Sequence, residues 1–276
     1  MANADPDRYA LVGHPVDHSR SPLIHQLFAR QTGEKLTYEL IDATPDQFET
    51  AVRGFAAAGG KGMNVTVPHK EAAFRIATEL GPEAMLANAV NTLSFKGRVI
   101  RGDNTDGIGF MRDLTENLGR RVTGERVLIL GAGGAARGIL GPLLNAEPVA
   151  LVLANRTLSR AERLAEDFGG VSPNLDICRF DDLARLGRFD IVVNATSAGL
   201  HGEAPPFPGS LVDRDSFCYD LAYSLKQTPF VAWAQEHGAG RAVQGWGMLI
   251  EQAAESFSIW RGVRPDTAPI RQQLVH

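Results

Sequence analysis

Residues 126–160 read RVLILGAGGAARGILGPLLNAEPVALVLANRTLSR. The stretch begins with an apolar strand that runs into a glycine-rich turn and the start of a helix. Gly131, Gly133 and Ala136 have the G-x-G-x-x-G/A spacing of a dinucleotide fingerprint, in which the turn lets the backbone approach a pyrophosphate at a helix N-terminus. The stretch therefore predicts a Rossmann-type α/β domain that binds a dinucleotide.

The end of the same stretch indicates which dinucleotide. An NAD site carries Asp or Glu about 20 residues after the glycine turn, where it bonds the ribose 2′-hydroxyl. This chain has Asn155, Arg156 and Thr157 there, followed by Arg160. A carboxylate would repel a 2′-phosphate, whereas two guanidiniums and two polar side chains would hold one. Either arginine alone could be a solvent-exposed residue at the start of a helix. Two of them where a 2′-phosphate would lie favour NADP.

Composition limits the other classes. The 276 residues are 44% hydrophobic and 22% charged, which suits a soluble globular protein of two domains. A net charge of −4 gives no electrostatic reason to expect a nucleic-acid or membrane partner. The N-terminal residues MANADPDRY lack the apolar core of a signal peptide, so we expect a cytoplasmic location. A homodimer stays open as the assembly state. Cys178 and Cys218 match no metal or redox spacing.

Strand and helix patterns alternate along the chain, which is typical of βαβ units and a parallel sheet. We predict a first domain of residues 1–106 that is completed by the C-terminal helix within 246–276, and a second domain of residues 107–245. The predicted strands are 9–12, 36–41, 62–67, 127–130, 150–154, 191–195 and 216–221, with a hairpin at 89–101. The predicted helices are 21–32, 45–54, 70–80, 107–118, 135–144, 159–168, 228–237 and 248–260.

Polar residues follow the first strand of the chain, in the segment GHPVDHSRSP at 13–22. Ligands of open α/β sheets lie beyond the carboxyl ends of the strands. Ser19 and Ser21 can point the same way from extended backbone and suit a carboxylate or a polyhydroxyl ligand. The alternative is that Ser21 only caps the next helix. His14 and His18 would need a helix to form a metal pair, and Pro15 makes a helix improbable there.

Five further polar positions stand out in the first domain and the C-terminal helix. Lys70 begins a predicted helix, where the macrodipole disfavours a cation and a local reason is therefore expected. Asp106 either caps the next helix or faces a cleft between the domains. Gln252 lies in an apolar helix and needs a polar partner unless it is exposed. Thr66 lies in a predicted strand. Asn91 lies at the start of another predicted strand, although an asparagine in a turn is an alternative interpretation.

Taken together, these motifs resemble the shikimate dehydrogenase family in its single-function, NADP-dependent form. The resemblance extends over nearly the whole chain and rests on motifs in the family's order and spacing. They are SRSP (19–22), NVTVPHK (64–70), AVNT (89–92), GDNTDG (102–107), GAGGAARG (131–138), NRTLSR (155–160), Tyr219-Asp220 with Tyr223, and GMLIEQA (247–253).

The resemblance implies reversible, NADPH-dependent reduction of 3-dehydroshikimate to shikimate in the aromatic amino-acid pathway, with hydride transfer to the C3 ketone. Lys70 and Asp106 would be the catalytic pair. The residues implied to contact the substrate are Ser19, Ser21, Thr66, Lys70, Asn91, Asp106, Tyr223 and Gln252. Those implied to hold the cofactor are Gly131, Gly133, Gly134 and Ala135 at the pyrophosphate, Asn155, Arg156, Thr157 and Arg160 at the 2′-phosphate, and Leu221 and Gly245 at the nicotinamide. No metal is implied.

Two residues depart from the family's pattern. His69 stands where an aromatic or apolar residue is frequent, and Gln244 stands where an Asp is common. Two other functions remain open. One is a shikimate/quinate dehydrogenase of relaxed specificity, and the other is a non-catalytic NADP-binding regulator. Lys70 and Asp106 argue against a regulator, which needs neither residue.

Overall fold

The chain folds into two compact units, seen in a computed structural model that describes residues 5–168, 174–196 and 207–274. One unit is Met1–Gly109 with Leu249–His276, and the other is Phe110–Met248. The predicted boundaries, 106/107 and 245/246, each lie three residues before the point where the chain passes from one unit to the other.

Strands and helices alternate through both units. The strands are β1 (Asp7–Gly13), β2 (Leu36–Asp42), β3 (Gly62–Val65), β4 (Glu79–Leu80), β5 (Thr92–Lys96), β6 (Val99–Asp103), β7 (Arg126–Leu130), β8 (Ala150–Asn155), β9 (Leu175–Arg179), β10 (Ile191–Asn194), β11 (Phe217–Asp220) and β12 (Arg241–Gln244). The helices are α1 (Ser21–Thr32), α2 (Phe48–Ala57), α3 (Lys70–Ile76), α4 (Pro82–Ala87), α5 (Asp106–Arg112), α6 (Gly134–Asn145), α7 (Leu158–Asp167), α8 (Pro229–Glu236), α9 (Trp246–Arg261) and α10 (Ala268–Leu274).

The first unit contains a mixed sheet with the strand order β2-β1-β3-β5-β6-β4. β1 pairs in parallel with both β2 and β3, whereas β5 runs antiparallel to β3 and β6. The predicted hairpin is confirmed as β5 and β6. Because β1, β2 and β3 run in the same direction, the loops that follow them lie at one edge of the sheet, where ligands of α/β folds bind.

The second unit contains a parallel sheet with the order β12-β11-β10-β7-β8-β9. Numbered within the unit, this is the 3-2-1-4-5-6 order of the dinucleotide-binding fold, so the predicted Rossmann-type domain is confirmed. Its four central strands are the predicted apolar runs. The two edge strands, β9 and β12, were not predicted, because LDICR and RAVQ carry polar residues and show no apolar run.

The C-terminal helix completes the first unit, as predicted. Phe257 and Ile250 of α9 pack against Phe28 of α1 in one buried cluster. Trp260 stacks on Tyr9 of β1, with ring centroids 4.6 Å apart. The apolar stripe of α9 therefore covers the sheet of the first unit.

Two local predictions were wrong, and one predicted helix changes type along its length. Ser21 is the first residue of α1 and not its N-cap, which is Arg20. β3 ends at Val65, so Thr66 follows the strand instead of lying in it. The predicted helix 107–118 continues beyond α5 as a π-helical segment, Asp113–Asn117. Among the described residues, no helix has the length and apolar character needed to cross a membrane.

Replacing Phe28 by Ala should lower the free energy of unfolding by about 3–5 kcal/mol, because a fully buried ring is lost from the α1–α9 cluster. Leu23→Ala is the matched control on the same helix, since Leu23 is 37% exposed and should cost less than about 1 kcal/mol. Urea denaturation followed by circular dichroism measures both. Equal losses would contradict the packing of α1 against α9.

Candidate active site

The loops that follow β1, β2 and β3 are tied to one another by a closed set of hydrogen bonds. The backbone N–H of Ala43 donates to the Gly13 carbonyl at 3.0 Å, and that of His14 donates to the Val67 carbonyl at 3.0 Å. His69 closes the set, with its Nε2 2.7 Å from the Ala43 carbonyl. Because a carbonyl only accepts, the His69 proton lies on Nε2. His69 therefore serves as an anchor of the loop that leads to Lys70.

Lys70 and Asp106 form an ion pair at the starts of two helices. The Lys70 Nζ lies 2.5 Å from Asp106 Oδ2, and the two side chains are only 13% and 6% exposed. Lys70 is the first residue of α3 and Asp106 the first of α5. The carboxylate thus supplies the local reason expected for a lysine at a helix start. A carboxylate at the first turn of α5 is itself favoured by the helix dipole.

The second oxygen of the Asp106 carboxylate is held by Asn91, whose Nδ2 donates to Oδ1 at 2.9 Å. Asn91 Oδ1 accepts the backbone N–H of Thr105 at 2.8 Å. Since an N–H only donates, this bond fixes the orientation of the amide and turns Nδ2 toward Asp106. Nδ2 also lies 3.3 Å from Gln252 Oε1, so the structure brings four of the predicted site residues into one cluster.

Ser19, Ser21 and Thr66 lie on the neighbouring strand-end loops. The Ser19 Oγ donates to Ser21 Oγ and accepts the Ser21 backbone N–H, both at 3.2 Å. This adjacency confirms that the two hydroxyls share one side of the loop. Thr66 packs closely on the β1 loop, because a Cβ built on Gly13 would lie 2.3 Å from Thr66 Cγ2. Gly13 therefore allows the two loops to approach each other.

Four residues of this polar cluster were missed at the sequence level: Asn64, Thr92, Thr105 and Ser256. Asn64 Nδ2 donates to Ser256 Oγ at 3.0 Å and to Thr92 Oγ1 at 3.2 Å, and Asn64 Oδ1 accepts from Tyr38 at 2.8 Å. The signal was available, because Asn64, Thr92 and Thr105 lie inside the motifs already singled out. Nearby, burial lowers the pKa of His25 to about 3, so this imidazole is neutral at neutral pH.

In the glycine turn of the second unit, the backbone requires glycine at Gly131 but not at Gly133. Gly131 has φ 106°, and a Cβ there would lie 3.0 Å from the Ala195 carbonyl oxygen. Gly133, the N-cap of α6, has φ −98°, and a Cβ there would meet no described atom within 4 Å. Neither backbone strain nor packing against described residues accounts for Gly133. The space at Gly133 lies at the start of α6, where the first N–H groups of a helix have no partner within the helix.

The second strand end carries the predicted phosphate-binding residues. Asn155 Oδ1 accepts the Ala132 backbone N–H at 3.2 Å, and Asn155 Nδ2 donates to the Thr157 carbonyl at 2.8 Å. Asn155 thus ties the glycine turn to this loop. Arg156 and Arg160 are exposed, and neither guanidinium has an ion pair or hydrogen bond among the described residues. Both are available to an anion next to the glycine turn.

Two buried acids bond the end of β11 and the loop that follows it. Tyr219 donates to Asp113 Oδ2 at 2.7 Å, and burial raises the pKa of Tyr219 well above its usual value. Asp220 Oδ1 accepts from Asn194 Nδ2 at 2.9 Å and from the Ala222 backbone N–H at 3.1 Å. Burial also raises the pKa of Asp220. Asp220 thus supports the loop at 221–223, and Tyr219 ties β11 to Asp113.

The residues predicted near a nicotinamide lie on this loop and at the end of β12. A Cβ on Gly245 would lie 2.5 Å from the Leu221 carbonyl oxygen, so glycine is needed for the two segments to meet. Gln244 Oε1 accepts the Ser224 backbone N–H at 2.8 Å, which shows how Gln244 holds the loop in place of the more common Asp. The Tyr223 ring packs on Trp246, with centroids 4.8 Å apart.

The fold and these two sites define a two-unit α/β protein with a dinucleotide-binding sheet. Family comparisons match residues 11–93 to the shikimate dehydrogenase substrate binding domain, residues 113–201 to shikimate / quinate 5-dehydrogenase, and residues 245–275 to the shikimate 5′-dehydrogenase C-terminal domain. The chain belongs to the shikimate dehydrogenase family.

Individual relatives agree with this membership. Proteins named shikimate dehydrogenase (NADP(+)) from Methylococcus capsulatus and Aromatoleum aromaticum are 52% and 54% identical, over 98% and 97% of this chain and 96% of each relative. A crystal structure of an Ael1 enzyme from Pseudomonas putida is 47% identical, with a TM-score of 0.88 over 98% of both chains. Shikimate 5-dehydrogenase from Thermus thermophilus, solved with NADP(H) and shikimate, is 32% identical, with a TM-score of 0.84 over 96% of this chain and 97% of that one.

Gly131→Ala should destabilise the nucleotide-free protein by about 1–3 kcal/mol, because a residue with a side chain is strained at this φ and its Cβ would crowd Ala195. The control is Gly133→Ala, which meets neither obstacle and should cost less than about 1 kcal/mol. Thermal unfolding without nucleotide distinguishes them. A larger loss for Gly133→Ala would contradict the turn geometry.

Proposed function

We propose that this protein catalyses the reversible, NADPH-dependent reduction of 3-dehydroshikimate to shikimate. The observation that carries the proposal is the shielded Lys70–Asp106 pair within a cluster of amide and hydroxyl groups. The relatives named shikimate dehydrogenase (NADP(+)), matched over nearly the whole chain, support it. We place the reaction in the cytoplasm. Every proposed residue lies in one chain, so a monomer and a homodimer both suit the mechanism.

The first unit would hold the substrate and supply the proton chemistry. Reduction of the C3 ketone builds negative charge on its oxygen, and the Lys70 ammonium can stabilise that charge and donate a proton. Asp106 would orient the ammonium and accept a bond from the neighbouring substrate hydroxyl. Ser19 and Ser21 would bind the substrate carboxylate, and Thr66, Asn91, Gln252 and Tyr223 would contact the ring substituents.

The second unit would hold NADP, which supplies or accepts the hydride when it is bound. The open position at Gly133 fits this cofactor, as do the exposed guanidiniums of Arg156 and Arg160, which have no partner in the described part of the chain. Gly131, Gly133, Gly134 and Ala135 would surround the pyrophosphate. Arg156 and Arg160 would pair with the 2′-phosphate, with Asn155 and Thr157 beside them, and Leu221 and Gly245 would lie by the nicotinamide.

Reduction of NADP⁺ by the purified protein, followed at 340 nm, tests the proposal directly. Shikimate should give turnover, and NAD⁺ in place of NADP⁺ should lower kcat/KM. Quinate is the second candidate substrate, because residues 113–201 match a family description that includes quinate. No turnover with shikimate at any pH between 7 and 10 would refute the main proposal, and equal kcat/KM for quinate would favour the relaxed enzyme.

Lys70→Ala should lower kcat for shikimate oxidation by at least about 10²-fold with little change in KM, because general acid–base catalysis contributes about 10²–10⁴-fold. Lys96→Ala removes an exposed lysine in the same unit and should leave both constants unchanged. Steady-state kinetics at saturating NADP⁺ measures both variants. A Lys70→Ala enzyme with near wild-type kcat would remove Lys70 from the catalytic pair.

Arg156→Ala should weaken NADPH selectively, because a guanidinium–phosphate contact is lost while the pyrophosphate contacts stay. The ratio of kcat/KM for NADPH to that for NADH should fall by about tenfold or more. Arg163→Ala, an exposed arginine farther along α7, is the control and should keep the ratio. An unchanged ratio in Arg156→Ala would contradict the 2′-phosphate site.

A further inference from the structure

We propose that Thr105 is a positioning residue whose hydroxyl fixes the two amides expected to contact the substrate. The inference rests on the proposed function, since it concerns how the substrate site is built. Thr105 lies between β6 and α5, next to Asp106, and is 1% exposed.

The contacts of the Thr105 hydroxyl join two distant parts of the chain. Its Oγ1 accepts from Asn91 Nδ2 at 2.8 Å and lies 3.4 Å from Gln252 Oε1. Asn91 belongs to the segment that leads into β5, and Gln252 belongs to α9. One hydroxyl therefore lies between residues that are 161 positions apart.

The Thr105 hydroxyl has one proton and three oxygens within reach. Asn91 Oδ1 is 3.2 Å away, but it already accepts the Thr105 backbone N–H at 2.8 Å and lies 2.9 Å from the Thr92 hydroxyl. Ser256 Oγ at 3.2 Å and Gln252 Oε1 at 3.4 Å are the other two. The Gln252 amide is oriented by its Nε2, which donates to the Leu249 carbonyl at 2.9 Å and leaves Oε1 toward Thr105. The hydroxyl therefore lies where Asn91, Ser256 and Gln252 meet.

The hydroxyl can be removed without changing the rest of the contact. Valine has nearly the shape of threonine, and Thr105→Val keeps the backbone N–H that bonds Asn91 Oδ1. It removes the acceptor 2.8 Å from Asn91 Nδ2 and the hydroxyl 3.4 Å from Gln252 Oε1, and leaves only the direct 3.3 Å contact between those two amides. Thr105→Ser restores a hydroxyl and should restore the bridge. Thr78→Val is the matched control, because the Thr78 hydroxyl bonds the Ile100 backbone in the same unit and lies outside the proposed site.

Steady-state kinetics of the full-length protein with shikimate and NADP⁺ tests the inference. Thr105→Val should lower kcat/KM for shikimate by about tenfold while KM for NADP⁺ stays unchanged. Thr105→Ser should recover to within about threefold of wild type, and Thr78→Val should match wild type. Thermal unfolding shows whether each variant is folded.

The outcomes separate the inference from the proposed function. A wild-type protein inactive with shikimate refutes the proposed function. An active wild type together with a folded Thr105→Val enzyme of unchanged kcat/KM refutes the positioning role. Equal losses of kcat/KM in Thr105→Val and Thr78→Val refute it as well, because a general loss of rigidity would then explain both. If Thr105→Val does not fold, a Thr105→Ser enzyme no better than Thr105→Ala overturns the role of the hydroxyl.

Discussion

The contact between the Lys70 ammonium and the Asp106 carboxylate constrains the rest of the first unit. Removing two charges from water costs several kcal/mol per ion unless both are paired and hydrogen-bonded. Asp106 meets this requirement with Lys70 on one oxygen and Asn91 on the other. The pair therefore depends on the strand-end loops that deliver it, and Asn91 depends on Thr105. A shielded ion pair of this kind is well suited to stabilising charge on a substrate oxygen.

The loop that carries Lys70 is tied to its neighbours by hydrogen bonds. The bonds from Ala43 to Gly13, from His14 to Val67 and from the His69 side chain to Ala43 link the loops that follow β1, β2 and β3. The second unit uses a similar device, in which Asn155 links the glycine turn to the next strand end. Both sites are therefore built on loops whose positions are set by parallel strands, which is where α/β folds bind ligands.

Much of the fold could be predicted, and the reasons differ between elements. Apolar runs such as Val127–Leu130 predict buried central strands correctly, because both faces of a parallel sheet are covered. Edge strands such as β9 are half exposed and lack that signal. Motif residues such as Lys70 could be placed at a helix start from local sequence. The orientation of Asn91 and the contacts with Gln252 could not, because they depend on the fold bringing Thr105 and α9 against Asn91.

A double-mutant cycle between Lys70 and Asp106 tests the central claim most directly. Lys70→Met, Asp106→Asn and the double variant would be compared with wild type in kcat for shikimate oxidation at saturating NADP⁺. Residues that act as one unit give strongly non-additive effects. The account predicts that the double variant is no slower than the slower single variant. Logarithmic losses that simply add would show that the two residues act independently and would contradict the account.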